Sequence, residues 1–177
     1  MTLQNIPYSQ LSVKIHALFG KQWLILTSGD FEKGHYNGMT IAWGSLGLMW
    51  NKPFAQVVVR PTRHTYTFME EYPTFTLCAF SKEYRSALNL MGSRSGRDCD
   101  KIAEAGLTPV SSSVISAPGY AEAELVIECQ KIFYDDFKPD HFIDPDIDKN
   151  YSLKDYHRIY YGEILAIQGT EKYLSKE

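Results

Sequence analysis

The alternation of apolar and polar positions changes period several times along the chain. Trp23-Leu24-Ile25-Leu26-Thr27 is a continuous apolar run of strand length, as expected for a buried strand. Turn signals follow at Gly29-Asp30 and Lys33-Gly34, and Tyr36 to Ala42 reads as the returning strand. Phe54 to Arg60 is rich in β-branched residues and stops at Pro61, which has no N–H for a ladder. Phe75 to Phe80 is a further short strand. From 121 to 130 the period is two: Ala121, Ala123, Leu125, Ile127 and Cys129 take one face, and Glu122, Glu124, Glu128 and Gln130 most of the other. That pattern predicts a half-buried antiparallel strand. Ile159 to Ile167 reads as the last long strand.

Helical spacing is scarcer. Thr65 to Glu71 is one short helix, stopped by Pro73. Ser81 is placed as an N-cap, with Tyr84, Ala87, Leu88 and Met91 following on one face. A third helix runs from about Asp98 to Ala105, with Gly106 as its stop. Strands outnumber helices and do not alternate with them. The expected fold class is therefore mainly β: an antiparallel barrel with peripheral helices, not a doubly wound parallel sheet.

The 177 residues suit one domain, 1–177, with its core from about 20 to 168. The net charge of −3 is built from interspersed signs and gives no electrostatic case for nucleic acid or an anionic membrane as partner. Three widely spaced cysteines, Cys78, Cys99 and Cys129, argue against a disulfide framework or zinc site and for a reducing, cytoplasmic setting. The start, Met1-Thr2-Leu3-Gln4-Asn5, has no signal-peptide pattern, and no apolar run reaches membrane-spanning length. Asp144, Asp146 and Asp148 are spaced as in a calcium loop. Lys149 then stands where that loop needs glycine and Asp155 where it needs glutamate, so a solvated loop is expected, with no metal site.

Neither G-x-G-x-x-G nor G-x-x-x-x-G-K-[ST] occurs. Three segments carry candidate chemistry. Asn37 to Ser45 mixes amide, hydroxyl and indole groups on a strand entering a glycine-containing loop. It is either a strand edge with a packed tryptophan or a border where a flat ligand can approach the backbone. Arg60-Pro61-Thr62-Arg63-His64-Thr65 places two arginines between a strand and a helix start. It is either a solvated basic turn or a phosphate site made of guanidinium groups and helix N–H groups. Gly92 to Lys101 is a cationic loop opening a helix, either an exposed linker or an anion cradle.

Taken in order, these pieces resemble the flavoredoxin and flavin reductase-like family. The run is Asn37-Gly38-Met39-Thr40, Trp43-Gly44-Ser45, Trp50-Asn51-Lys52-Pro53, Val59-Arg60-Pro61-Thr62-Arg63-His64-Thr65, Phe75-Thr76-Leu77, Ser95-Gly96-Arg97-Asp98 and Asp100-Lys101. The resemblance implies an FMN-binding split barrel, antiparallel and of Greek-key type, with FMN at a homodimer interface. It implies that Asn37, Met39, Thr40, Trp43 and Ser45 border the isoalloxazine ring and ribityl chain. Arg60, Arg63 and Thr65 would hold or neighbour the phosphate, with Ser95 and Lys101 as further contacts. Flavin reductases of this fold also carry a Gly-Asp-His triplet near the last strand; here the run is Asp155-Tyr156-His157. His157 is thus the candidate beside a nicotinamide, or else a structural histidine, and Lys101 the candidate cation for a reduced flavin. The implied function is an FMN-dependent oxidoreductase, most concretely an NAD(P)H:flavin reductase. It would pass electrons to a free flavin or a redox partner protein. The alternatives are a flavoredoxin-type electron carrier that does not oxidise NAD(P)H and a non-catalytic protein, flavin-binding or without flavin.

Overall fold

The computed structural model describes residues 2–175. Its strands are β1 (Gln4–Asn5), β2 (Leu24–Asp30), β3 (His35–Ile41), β4 (Gly44–Met49), β5 (Lys52–Val59), β6 (Thr74–Ala79), β7 (Pro109–Val110), β8 (Gly119–Tyr120), β9 (Leu125–Asp136) and β10 (Arg158–Gly169). The helices are α1 (Ile15–Ala17), α2 (His64–Glu71), α3 (Arg85–Ser93) and α4 (Lys101–Glu104). One sheet runs β3-β2-β6-β9-β10-β5-β4, with β1 added to β10, while β7 and β8 pair separately. Every pairing is antiparallel.

The sheet curls on itself. Ile41 on one edge strand and Ala55, Val57 and Val59 near the other end share one buried cluster with Leu24, Leu26, Phe75, Leu77, Ile127 and Tyr160. The opposite face of β2, β6 and β9, carrying Ile25, Cys78 and Val126, is covered by Ala87, Leu88 and Met91 of α3. Burial of each such leucine or methionine side chain contributes about 1.5–3 kcal/mol, so this covering fixes α3 in place. Mainly antiparallel architecture with few helices is what the residue pattern predicts.

Three local expectations need correction. The strand predicted over 121–130 begins only at Leu125, because Ala123 N–H donates back to Tyr120 in a turn. Its acidic face is not solvated. Glu128 is fully buried and accepts from Ser113 N (2.8 Å), Ser113 Oγ (2.7 Å) and Val114 N (2.9 Å). Glu124 is buried too, bonded to Lys172 and Tyr173. Secondly, Ser81 does stand at the N-cap position of the turn leading into α3, but its side chain makes no capping bond. Thirdly, α4 starts at Lys101 with Asp100 as its cap, Oδ1 accepting from Ala103 N at 3.1 Å. Gly106 does end it, at φ +67°.

The β4–β5 hairpin closes through Trp50 and Asn51, both left-handed (φ 54° and 58°), as a two-residue turn matching strand twist requires. The Asp144–Asp148 run is folded into local turns: Asp144 caps Asp146 N, and Asp148 accepts from Lys154 and Tyr156.

Candidate functional site

Where β5 ends, the chain turns through Arg60-Pro61-Thr62 into α2. The first N–H groups of a helix have no intrahelical partner and carry its positive dipole end. Arg63 is the backbone cap of α2, and among the described residues its guanidinium makes no hydrogen bond or ion pair. Beside it, Thr65 is buried and accepts from Asn37 Nδ2 of β3 at 2.7 Å.

A cavity of about 290 Å³ opens here, lined by Met39, Arg63, His64, Thr65, Ser95, Arg97 and Lys101 among others. A second, of about 210 Å³, is lined by Met39, Thr40, Trp43, Arg60, Arg63 and His157 among others. Met39 and Arg63 border both, so the two are adjacent. The first is cationic. The second has aromatic walls, with Trp43 half exposed and its ring 5.3 Å from that of His157. Asn37 lines a third hollow, of about 570 Å³, which shares Arg97, Asp98 and Lys101 with the first. Ser45 lines none of these cavities; its hydroxyl donates to Gln56 Oε1 at 2.8 Å.

The two arginines differ. Arg60 donates to Asp155 Oδ1 (2.8 Å) and to the Asn150 carbonyl (2.8 Å), and lies over the Tyr151 ring. It pins the 137–157 connection against the barrel, which leaves Arg63 as the guanidinium open to an anion. Lys101 is buried, and its Nζ donates to the Met91 (3.0 Å) and Arg94 (3.2 Å) carbonyls. It thereby ties down the C-terminal end of α3. Burial and the nearby Arg63 charge lower its pKa to about 8. His157 is buried, with Nδ1 2.8 Å from the Tyr151 hydroxyl. Burial first, then the Arg60 and Arg63 charges, pull its pKa down to about 4 against the opposing effect of Asp155. It is therefore a neutral imidazole at neutral pH.

Lining residues outside the candidate set read from sequence include His64 and Arg97. His64 Nδ1 is buried with no partner among the described residues, and burial with the Arg97, Lys101 and His35 charges lowers its pKa. Arg97 reaches the Thr62 carbonyl at 3.4 Å across the same cavity. Both lie inside the motifs quoted above, but only packing distinguishes them from their neighbours. Tyr151 and Asp155, which orient His157 and Arg60, come from a connection with no periodic signal.

The family model for the flavin reductase like domain matches residues 17–175. Among solved structures, the chain resembles a flavoredoxin of Desulfovibrio vulgaris (Miyazaki F) at 22% identity and TM-score 0.67, covering 93% of this chain and 77% of that one. It also resembles a flavoredoxin from Methanosarcina acetivorans, at 19% identity and TM-score 0.68, covering 99% and 77%. An FMN-binding domain of a flavin reductases-like enzyme from Shewanella baltica OS155 aligns at 16% identity and TM-score 0.68, covering 95% and 77%. At these identities the likeness establishes the fold, that of the split barrels. No curated protein sequence matches. No helix among the described residues is long and apolar enough to cross a membrane.

Proposed function

Because the chain belongs to the flavin reductase-like domain family, we propose that it binds FMN across the two adjacent cavities and works as an FMN-dependent oxidoreductase, most concretely an NAD(P)H:flavin reductase. The observation that carries this reading is their adjacency: a cationic hollow at a helix N-terminus and an aromatic-walled one share Met39 and Arg63 in their linings. The orphaned His64 Nδ1 is the kind of buried polar atom a phosphate or ribityl hydroxyl satisfies.

In this reading Arg63, the first N–H groups of α2 and Ser95 hold the phosphate. Thr65, locked by Asn37, fixes that wall. Met39, Thr40 and Trp43 border the ring. Bound FMN supplies two-electron hydride chemistry; the protein supplies binding, orientation and charge. Arg63, Arg97 and Lys101 give the cavity a positive potential, which favours negative charge on whatever it holds. His157 is neutral and braced by Tyr151, so it offers a hydrogen-bonding wall and no fixed charge.

The exposed Leu48, Met49, Trp50 and Phe133 form an apolar strip in which the Trp50 and Phe133 rings lie 6.0 Å apart. This strip supports a homodimer. The second reading, an electron carrier without NAD(P)H oxidation, is favoured by the aromatic packing round His157: Trp43, Phe137 and Tyr151 crowd the position that would neighbour a nicotinamide.

The test is to mix purified protein with FMN and either NADH or NADPH under air. The reductase reading predicts oxidation of one nucleotide above background. A yellow protein that oxidises neither is the carrier, and a protein that stays colourless with excess FMN ends both readings.

A further inference from the structure

A cavity of about 430 Å³ lies at the opposite end of α3 from the sites above and shares no lining residue with them. Among its apolar lining residues Ala17 is partly exposed while Phe80 and Leu88 are almost fully buried, so the alkyl stems of the lysines and the arginine supply most of the apolar wall. Round it stand four cations, Lys21, Lys82, Arg85 and Lys172, with no carboxylate among the lining residues. In a chain with 18 Lys and Arg against 21 Asp and Glu, that one-sided grouping is not a reflection of composition.

The walls are built. Gln22 Nε2 bridges the Phe80 carbonyl (2.9 Å) and the Tyr173 hydroxyl (2.8 Å). Arg85 lies flat over Trp23, 3.3 Å from the ring centroid, and spends only Nη1 on the Lys21 and Gln22 carbonyls. Its other donors, and the ammonium groups of Lys21 and Lys82, have no partner among the described residues, whereas Lys172 is paired with Glu124 at 2.7 Å. Ser81 lines the same cavity, and its Oγ is buried without a hydrogen-bond partner. A buried hydroxyl left unpaired is costly, and a bound acceptor removes that cost.

We propose that this cavity is a second ligand site, for a small amphipathic carboxylate. The acid group sits against Arg85, Lys21, Lys82 and the Ser81 hydroxyl, and an aromatic or short alkyl body lies along Ala17 and the alkyl stems of the lysines. A guanidinium with free donors and a planar carboxylate match in geometry as well as charge. A hollow of this size is large enough for a small molecule.

The experiment is calorimetric titration of the protein with 1-naphthoate, alone and with excess FMN. 1-Naphthylmethanol and inorganic phosphate serve as neutral and apolar-free comparators. The expected result is saturable one-site binding of 1-naphthoate, the same with and without FMN, with both comparators at least about tenfold weaker. Lys82→Glu and Arg85→Gln each weaken it by about tenfold, and Arg63→Ala leaves it unchanged. No saturable binding, equal binding of the alcohol or phosphate, loss of binding with FMN, or indifference to both Lys82→Glu and Arg85→Gln would overturn the proposal. The surface variant Lys82→Glu keeps the test decisive if Arg85→Gln loosens the helix start.

Discussion

Arg60 and Arg63 stand three positions apart with the same side chain, and their surroundings give them different work. Arg60 is held by Asp155 and the Asn150 carbonyl, 95 and 90 residues away in sequence. Arg63 faces both cavities without a partner among the described residues. Replacing Arg63 by Ala should therefore weaken FMN binding by ~1.5–3 kcal/mol, the range of a charged hydrogen bond, with little change in melting temperature. Arg60→Ala should do the reverse, lowering the melting temperature more than the affinity. Thermal denaturation and fluorescence titration of both variants check this split; an unchanged dissociation constant for Arg63→Ala would refute the phosphate assignment. The sequence motif shows both arginines but not which one is spoken for, since Asp155 lies far along the chain. His157 gives a pH test. Its folded pKa, about 4, lies below the ordinary 6.5, so the unfolded chain takes up the proton first as pH falls. Stability is thus fully present above about 6.5 and is lost down to about 4, by about 3 kcal/mol from this group. Chemical denaturation across that window should show a smaller loss for His157→Gln than for the native chain; equal slopes would show that the imidazole is not buried neutral.

At the level of strands and helices, the chain announces those with strong patterns. β2, β5, β6 and α2 follow from apolar runs and from Pro61 and Pro73, which stop them. β4 goes unread because Gly44-Ser45-Leu46-Gly47-Leu48-Met49 is a glycine-bearing edge strand with no clean alternation. The far half of β9, through Tyr134 to Asp136, is unread because its exposed residues look like loop. The acidic positions before and within β9 mislead for a different reason. Glu128 alternates as a solvent-facing residue would, yet it is buried because the loop at Ser113 and Val114 brings three donors to it. Removing that carboxylate leaves buried N–H groups unmet, so Glu128→Ala should cost about 2–4 kcal/mol by urea denaturation. A loss under about 0.5 kcal/mol would mean the site is solvated as the alternation suggests.

The barrel as a whole leaves an apolar strip uncovered. Leu48, Met49, Trp50 and Phe133 are exposed together, with Trp50 held out by a left-handed turn. A homodimer formed on this strip predicts a twofold mass in sedimentation for the native chain and a shift to monomer in Trp50→Lys; a native monomer at micromolar concentration would contradict it. The candidate site is only partly legible from residues, since the family run points to Arg63, Met39, Thr40 and Trp43 together but places Ser45 with them, whereas the fold turns Ser45 toward Gln56. The proposed FMN site has a phosphate docked at Arg63 and the start of α2 and a flat ring by Trp43. It is tested most directly by titrating the protein with FMN and with riboflavin, which lacks the phosphate. FMN should bind saturably and at least about tenfold more tightly than riboflavin; equal affinities, or no binding of FMN, would refute the phosphate site.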